Sequence, residues 1–138
     1  MSSFPYSKLQ PGEFRILELL RGPVAAPIRG VPKTKLIEPE DSSDYYGYYE
    51  ALSYVWRQEP LDPNKAERPP DHILLCLDGQ TKLVKFPVTW NLAMALRYLR
   101  ESDDDRTLWI DATCINQEDD IEKGQQVPQM RAIYGQAK

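Results

Sequence analysis

The sequence predicts an α/β protein: a partial doubly wound, mainly parallel sheet with helices and an inserted β-hairpin, incomplete at its C-terminal end. Three observations predict it. Apolar and β-branched runs at residues 14–20, 49–56 and 107–115 read as strands. Two segments, after Thr89 and from about Gln126, carry apolar residues at helical spacing. Beyond residue 49 strands and helices alternate, which favours parallel strands joined by right-handed crossovers.

Residues 14–20, Phe-Arg-Ile-Leu-Glu-Leu-Leu, form the first expected strand, stopped by Gly22-Pro23. Residues 21–48 are rich in Pro, Gly, Ser and Asp, and read mostly as surface loop. Residues 49–56 follow as a strand with Ala51, Ser53 and Val55 on one side and Leu52, Tyr54 and Trp56 on the other. Both sides are substantially apolar or aromatic, as a central strand requires. After a proline-rich loop at 57–71, the pattern of residues 73–77, Asp78-Gly79, then 81–86 is that of a hairpin. Asp-Gly supplies the positive φ of a tight turn. Thr89 can cap a helix whose stripe is Leu92, Ala95, Leu96 and Leu99. A buried strand at 107–115 comes next. The last helix carries Val127, Met130, Ile133, Tyr134 and Ala137, and is expected to start near Gln126 because Pro128 is tolerated best in a first turn.

With 138 residues, 41% hydrophobic and 28% charged, the chain has the composition of one folded globular unit rather than a disordered segment. Its formal net charge of −4 argues against nucleic-acid binding, and Lys33 and Lys35 are the nearest approach to a basic cluster along the sequence. The N-terminus lacks the layout of a signal peptide, and no run approaches the roughly 20 apolar residues of a membrane span. Cys76 and Cys114 each lie in an apolar run and are expected as reduced, buried thiols, which favours a cytoplasmic setting. The single histidine, His72, leaves no histidine-rich metal site, and no metal is expected. No dinucleotide fingerprint, phosphate loop, zinc-protease helix, calcium loop or nucleophile elbow is present. Cys76 and His72 lack a third partner for nucleophilic catalysis.

Five residues are candidates for binding a ligand. Asp111 interrupts the run Leu-Trp-Ile-Asp-Ala-Thr-Cys-Ile at 108–115. A carboxylate buried there must be paired, hydrogen-bonded or protonated, so it either ties down a neighbouring loop or faces a cleft. Asn116 and Gln117 follow where the strand should emerge, and either contact a ligand or cap a turn. Ser53 and Tyr54 fall toward the carboxyl end of the 49–56 strand, where open α/β sheets bind ligands; Ser53 equally suits close packing. Trp56 and Trp109 either stack on a base or fill the core. Glu118, Asp119 and Asp120 suit the start of a helix.

Three blocks, Tyr-Glu-Ala-Leu-Ser-Tyr-Val-Trp at 49–56, Leu-Trp-Ile-Asp-Ala-Thr-Cys-Ile-Asn-Gln at 108–117 and Gln-Val-Pro-Gln-Met-Arg-Ala-Ile-Tyr at 126–134, together resemble the fungal heterokaryon incompatibility (HET) domain. The hairpin and the helix from Asn91 to Leu99 fall where that family places them, and residues 14–20 resemble its lead-in strand. Two positions depart: Arg57 stands where the family commonly has glycine, and Thr113 where it has isoleucine. The resemblance divides the chain into a lead-in strand and loop at 1–48 and the N-terminal part of a HET domain at 49–138. Members of the family continue into a further strand, so a truncated domain is expected. The resemblance implies a self/non-self recognition and cell-death signalling module, acting through protein partners or homotypic assembly. It also implies a fold similar to TIR domains, some of which cleave NAD. The corresponding catalytic glutamate would lie beyond Lys138, so no residue here inherits that role. No cofactor is expected, with NAD entering only through that likeness. An inactive truncated product is the remaining alternative.

Overall fold

The strand most deeply enclosed is the first one. In β1 (Glu13–Leu19), Phe14, Arg15, Ile16 and Leu17 are buried in succession, which requires cover on both faces. The computed structural model describes residues 5–23, 25–37, 49–52, 71–76 and 82–137. The remaining elements are β2 (Arg29–Leu36), β3 (Glu50–Ala51), β4 (Asp71–Cys76), β5 (Leu83–Val88), α1 (Trp90–Leu99), β6 (Arg106–Trp109), α2 (Asp111–Cys114) and α3 (Asp120–Gln136). Among the described residues, six strands form one sheet in the order β3-β6-β1-β2-β4-β5.

The sheet is mixed, not mainly parallel. β1 is antiparallel to both β2 and β6, and β4 is antiparallel to β5, while β2–β4 and β3–β6 are parallel. The stretch 21–48, expected as mostly loop, holds a strand that pairs antiparallel with β1. β2 lies there, and its polar composition hides it: Lys33 and Thr34 are exposed, whereas Gly30 is buried. Glycine is needed at that point, because a Cβ on Gly30 would come 2.7 Å from Leu17 Cδ1 and 3.3 Å from its Cγ. Pro32 is tolerated inside β2 because the ladder to β4 covers only Arg29 and Gly30. The hairpin stands as expected, with β5 at one end of the strand order and its register set by Asp71↔Val88 through Cys76↔Leu83. Its Asp78-Gly79 turn lies outside the described residues. His72 belongs to β4.

Register assigns the two faces. Leu17, Gly30, Ile73 and Leu75 share one face, which α1 covers with Leu92, Ala93 and Leu96. Thr89 Oγ1 caps α1 as expected, accepting from Leu92 N at 3.1 Å. Phe14, Tyr49 and Trp109 lie on the opposite face, where α3 packs. The Tyr49 hydroxyl donates to Ile133 O, and Trp109 meets Tyr134 edge-on at 5.2 Å. The expected central strand at 49–56 instead supplies β3 at the other end of the strand order, and Trp56 lies outside the described residues. Trp109 is a core residue with no exposed surface.

Two further expectations are corrected. The 107–115 run is not one strand. It ends at Trp109 and folds into the single turn α2, in which Cys114 N donates to Ile110 O at 2.8 Å and Ile115 N to Asp111 O at 3.2 Å. Asp111 is therefore the first residue of a helical turn and half-buried, and Cys114 lies in α2 rather than in a strand. The last helix starts at Asp120, well before Gln126, because Asp119 Oδ1 accepts from the backbone N–H groups of Ile121 and Glu122. Pro128 thus stands inside α3, where its missing N–H leaves Gly124 O without the usual helical donor.

Candidate functional site

Because β3 and β6 run parallel, their carboxyl ends open on the same side of the sheet. Leu52 N donates to Trp109 O at 2.9 Å, extending that pairing to the threshold of α2. Ser53 and Tyr54, next in the chain, lie outside the described residues. The other three candidates, Asp111, Asn116 and Gln117, are brought together around α2.

The bend that carries them is held from far away in the chain. Arg15 donates from Nη1 to Glu122 Oε2 at 2.7 Å and from Nη2 to Glu122 Oε1 at 2.6 Å. The same guanidinium donates to Cys114 O at 3.2 Å and to Ser7 O at 2.7 Å. Tyr6 lies over it, with Arg15 Cζ 4.3 Å from the ring centroid, and its hydroxyl donates to Thr113 O at 2.6 Å. The carbonyls at the end of α2 are thus claimed by a tyrosine and an arginine about a hundred residues earlier. Glu122 Oε2 also accepts from Asn116 N at 2.5 Å, which fixes the loop between α2 and α3.

Asn116 and Gln117 are engaged within that loop. Asn116 Oδ1 accepts from Glu118 N at 3.1 Å, closing an Asx turn. Gln117 Nε2 donates to Asp111 O at 2.9 Å and Ile115 O at 3.2 Å, satisfying carbonyls of the helical turn. Asp111 therefore anchors this loop through its backbone carbonyl. Burial chiefly, and the Asp111 charge second, hold the Tyr134 phenol above its ordinary pKa. Trp109 Nε1, packed against Tyr134, is buried with no acceptor among the described residues.

The groups closest to the arginine are chemically quiet. Burial pushes the Cys114 thiol up to about 11, against smaller lowering effects from hydrogen bonds with Ile110 and Thr113 and from Arg15. Burial likewise raises the Tyr6 phenol, with Cys114 adding to it. Both stay protonated at neutral pH, so neither is an activated nucleophile or base. Neither cysteine is in a disulfide; Cys114 is buried as expected, whereas Cys76 is only half-buried, because it lies on the sheet face away from α1. Among the described residues no three His, Cys, Asp or Glu side chains gather to hold a metal, and no helix is long and apolar enough to cross a membrane. What reaches solvent is a surface: the half-buried Asp111, the exposed Gln117 and the exposed edge of Tyr134.

Sequence reasoning passed over Arg15, Glu122 and Tyr6. A signal for two of them existed. Arginine inside Phe-Arg-Ile-Leu is a charge in a strand that burial demands be paired, and Asp119-x-x-Glu122 has the spacing of a helix-start capping box. Glu122 stands at the third helical position, yet its carboxylate binds Arg15 and Asn116.

The fold is thus an α/β domain on a mixed sheet, whose most elaborated feature is the bend after β6. The family model described as heterokaryon incompatibility protein (HET) matches residues 49–138, and the chain belongs to this family. Heterokaryon incompatibility protein 6, OR allele, from Neurospora crassa is 37% identical over 99 residues. That alignment takes in 64% of this chain and 13% of the Neurospora protein, so the chain spans only a small part of that relative's length. No solved structure matches it.

Proposed function

We propose that this HET domain is an incompatibility-type self/non-self recognition module that signals cell death through protein contacts rather than by chemistry of its own. The observation that carries the reading is the family match over 49–138, together with the Neurospora relative bearing the name of an incompatibility protein. The site is compatible with it: the exposed groups around α2 form a shaped polar and aromatic surface, and the buried thiol and phenol beside them are held protonated. In this reading Asp111, Asn116 and Gln117 form or shape the contact surface at the carboxyl ends of β3 and β6. The TIR-like arrangement implied by the sequence resemblance rests here on the parallel β3–β6 pair, with Asp111 at its carboxyl end.

The test is inducible expression of the 138-residue chain in a filamentous fungus, scored by vital-dye uptake and colony growth. Induction is expected to kill hyphal compartments, and substitution of Asp111 by alanine to reduce killing at equal protein level. Full viability with abundant soluble protein would refute the proposal.

A further inference from the structure

Among the described residues the sheet is unevenly covered. α3 lies over Tyr49, Phe14 and Trp109, the half of its face built by β3, β6 and β1. On the other half of that face, β4 and β5 alternate between buried and accessible side chains. Ile73, Leu75 and Val88 are buried toward α1, whereas His72, Leu83, Lys85 and Pro87 are exposed. Register extends this open half to β2: Arg29 pairs with Leu74, and Leu74 with Lys85, so one row across three strands reads cation, leucine, cation. Successive strands lie about 4.8 Å apart, so the row is roughly 10 Å long. Lys33 and Lys35 share this face, and Glu18 contacts Lys33 at 2.5 Å. Four cations thus gather on one face of a chain whose formal net charge is −4. They are scattered in sequence, and only pairing brings them together.

The matching surface lies on the same chain. Between α2 and α3, Glu118, Asp119 and Asp120 are all exposed, and Ile121 next to them is 76% exposed. An isoleucine left in water beside three carboxylates complements an accessible Leu83 and half-buried Leu74 and Cys76 framed by cations. We propose that the open β2–β4–β5 face docks the acidic first turn of α3 from a second copy of this chain. Ile121 sits on the apolar floor, and Glu118 and Asp120 face Arg29 and Lys85. The two surfaces differ, so the contact is head-to-tail and propagates into a ring or a filament. This inference rests on the reading that the domain works through protein contacts, and names both the partner and the surface.

Sedimentation velocity at low ionic strength tests it, on the wild-type chain and two charge-reversed forms. One carries Arg29→Glu with Lys85→Glu, the other Glu118→Lys with Asp120→Lys, leaving the Asp119 cap intact. Thermal melts first establish that each form is folded. Wild type should associate with rising concentration and dissociate in 0.5 M salt, since exposed charges are screened there. Each variant alone should sediment as a monomer or associate at least tenfold more weakly, and a mixture of the two should recover association. A wild type that stays monomeric overturns the proposal, as does association that neither reversal weakens. Loss of association on reversing Asp103 and Asp104, but not Glu118 and Asp120, overturns the assigned surface. A monomer that instead binds a labelled single-stranded oligonucleotide through Arg29 and Lys85 gives the face to nucleic acid. Failure here is separable from failure of the incompatibility reading: a monomeric chain that still kills hyphae sinks the assembly alone, and an assembling chain that kills nothing sinks the signalling role alone.

Discussion

Replacing Glu122 by alanine should be among the most damaging single changes in this domain. The Arg15 and Glu122 side chains retain only 3% and 7% of their exposure, and the carboxylate accepts two arginine donors and the Asn116 amide. Removing it leaves a guanidinium in a site built to exclude water, and breaking one side of a buried pair costs about 3–5 kcal/mol. For a chain of this length such a loss corresponds to a fall in Tm on the order of 15 °C. Urea titration followed by tryptophan fluorescence and circular dichroism reads it directly. The double substitution Arg15→Met with Glu122→Met discriminates the cause. If the penalty is an uncompensated charge, removing both ends recovers most of the stability, so the double variant is far more stable than the two single losses would add to. Salt offers a second check, because 1 M NaCl should weaken an exposed pair such as Lys33–Glu18 but leave the buried one almost untouched. A loss below about 1 kcal/mol for Glu122→Ala, or additive single and double effects, would refute the reasoning.

Stability should also fall as pH rises from near 9 toward 11. The Cys114 thiol titrates near 9 when unfolded and is pushed up to about 11 when folded, so its contribution is whole below 9 and is lost as pH rises through the folded value. The loss from this thiol amounts to about 3 kcal/mol; in Cys114→Ala the fall between pH 9 and 10 should disappear, leaving only the later fall above pH 10 that the raised Tyr6 phenol adds, when urea midpoints are compared across that range. Gln117→Glu should destabilise more than Gln117→Ala, because a carboxylate cannot donate to Asp111 O and Ile115 O, and alanine should cost about 1 kcal/mol; equal midpoints for the two would contradict the donor role. Pro128→Ala should stabilise the domain by about 1–3 kcal/mol, since it restores a donor for Gly124 O inside α3, and a lowered Tm would show that the proline is required where it stands.

Local patterns were legible where local forces decide. The Thr89 cap and the hairpin pairing need only neighbouring residues, and they stand as the sequence implied; the α1 stripe keeps Leu92 and Leu96, but Ala93 is buried in it while Ala95 and Leu99 are half-buried. The Glu118–Asp120 run likewise opens a helix. What escaped was decided by partners far off in the chain. β2 is polar on the side that faces solvent and is a strand because β1 and β4 flank it. The run at 108–115 has the composition of a strand, but Tyr6 and Arg15 take its carbonyls and turn it into a helix. Likewise the cap at Asp119 and the pairing of Glu122 outweigh the proline that suggested a later start for α3. In the candidate site, sequence marked the residues on the loop and missed those that hold it.

That arrangement has a kinetic consequence. Arg15 and Glu122 are separated by 107 positions, and β1 joins β2 to β6 across the middle of the sheet. A contact of this span pays its loop-closure entropy before any return, so a high share of such contacts slows folding. During synthesis the growing chain can assemble its hairpin and α1 early, but the arginine waits unpaired until Glu122 has left the ribosome. A polypeptide starting at Tyr49 would carry the whole family-matched region and yet be born with Glu122 facing an absent strand.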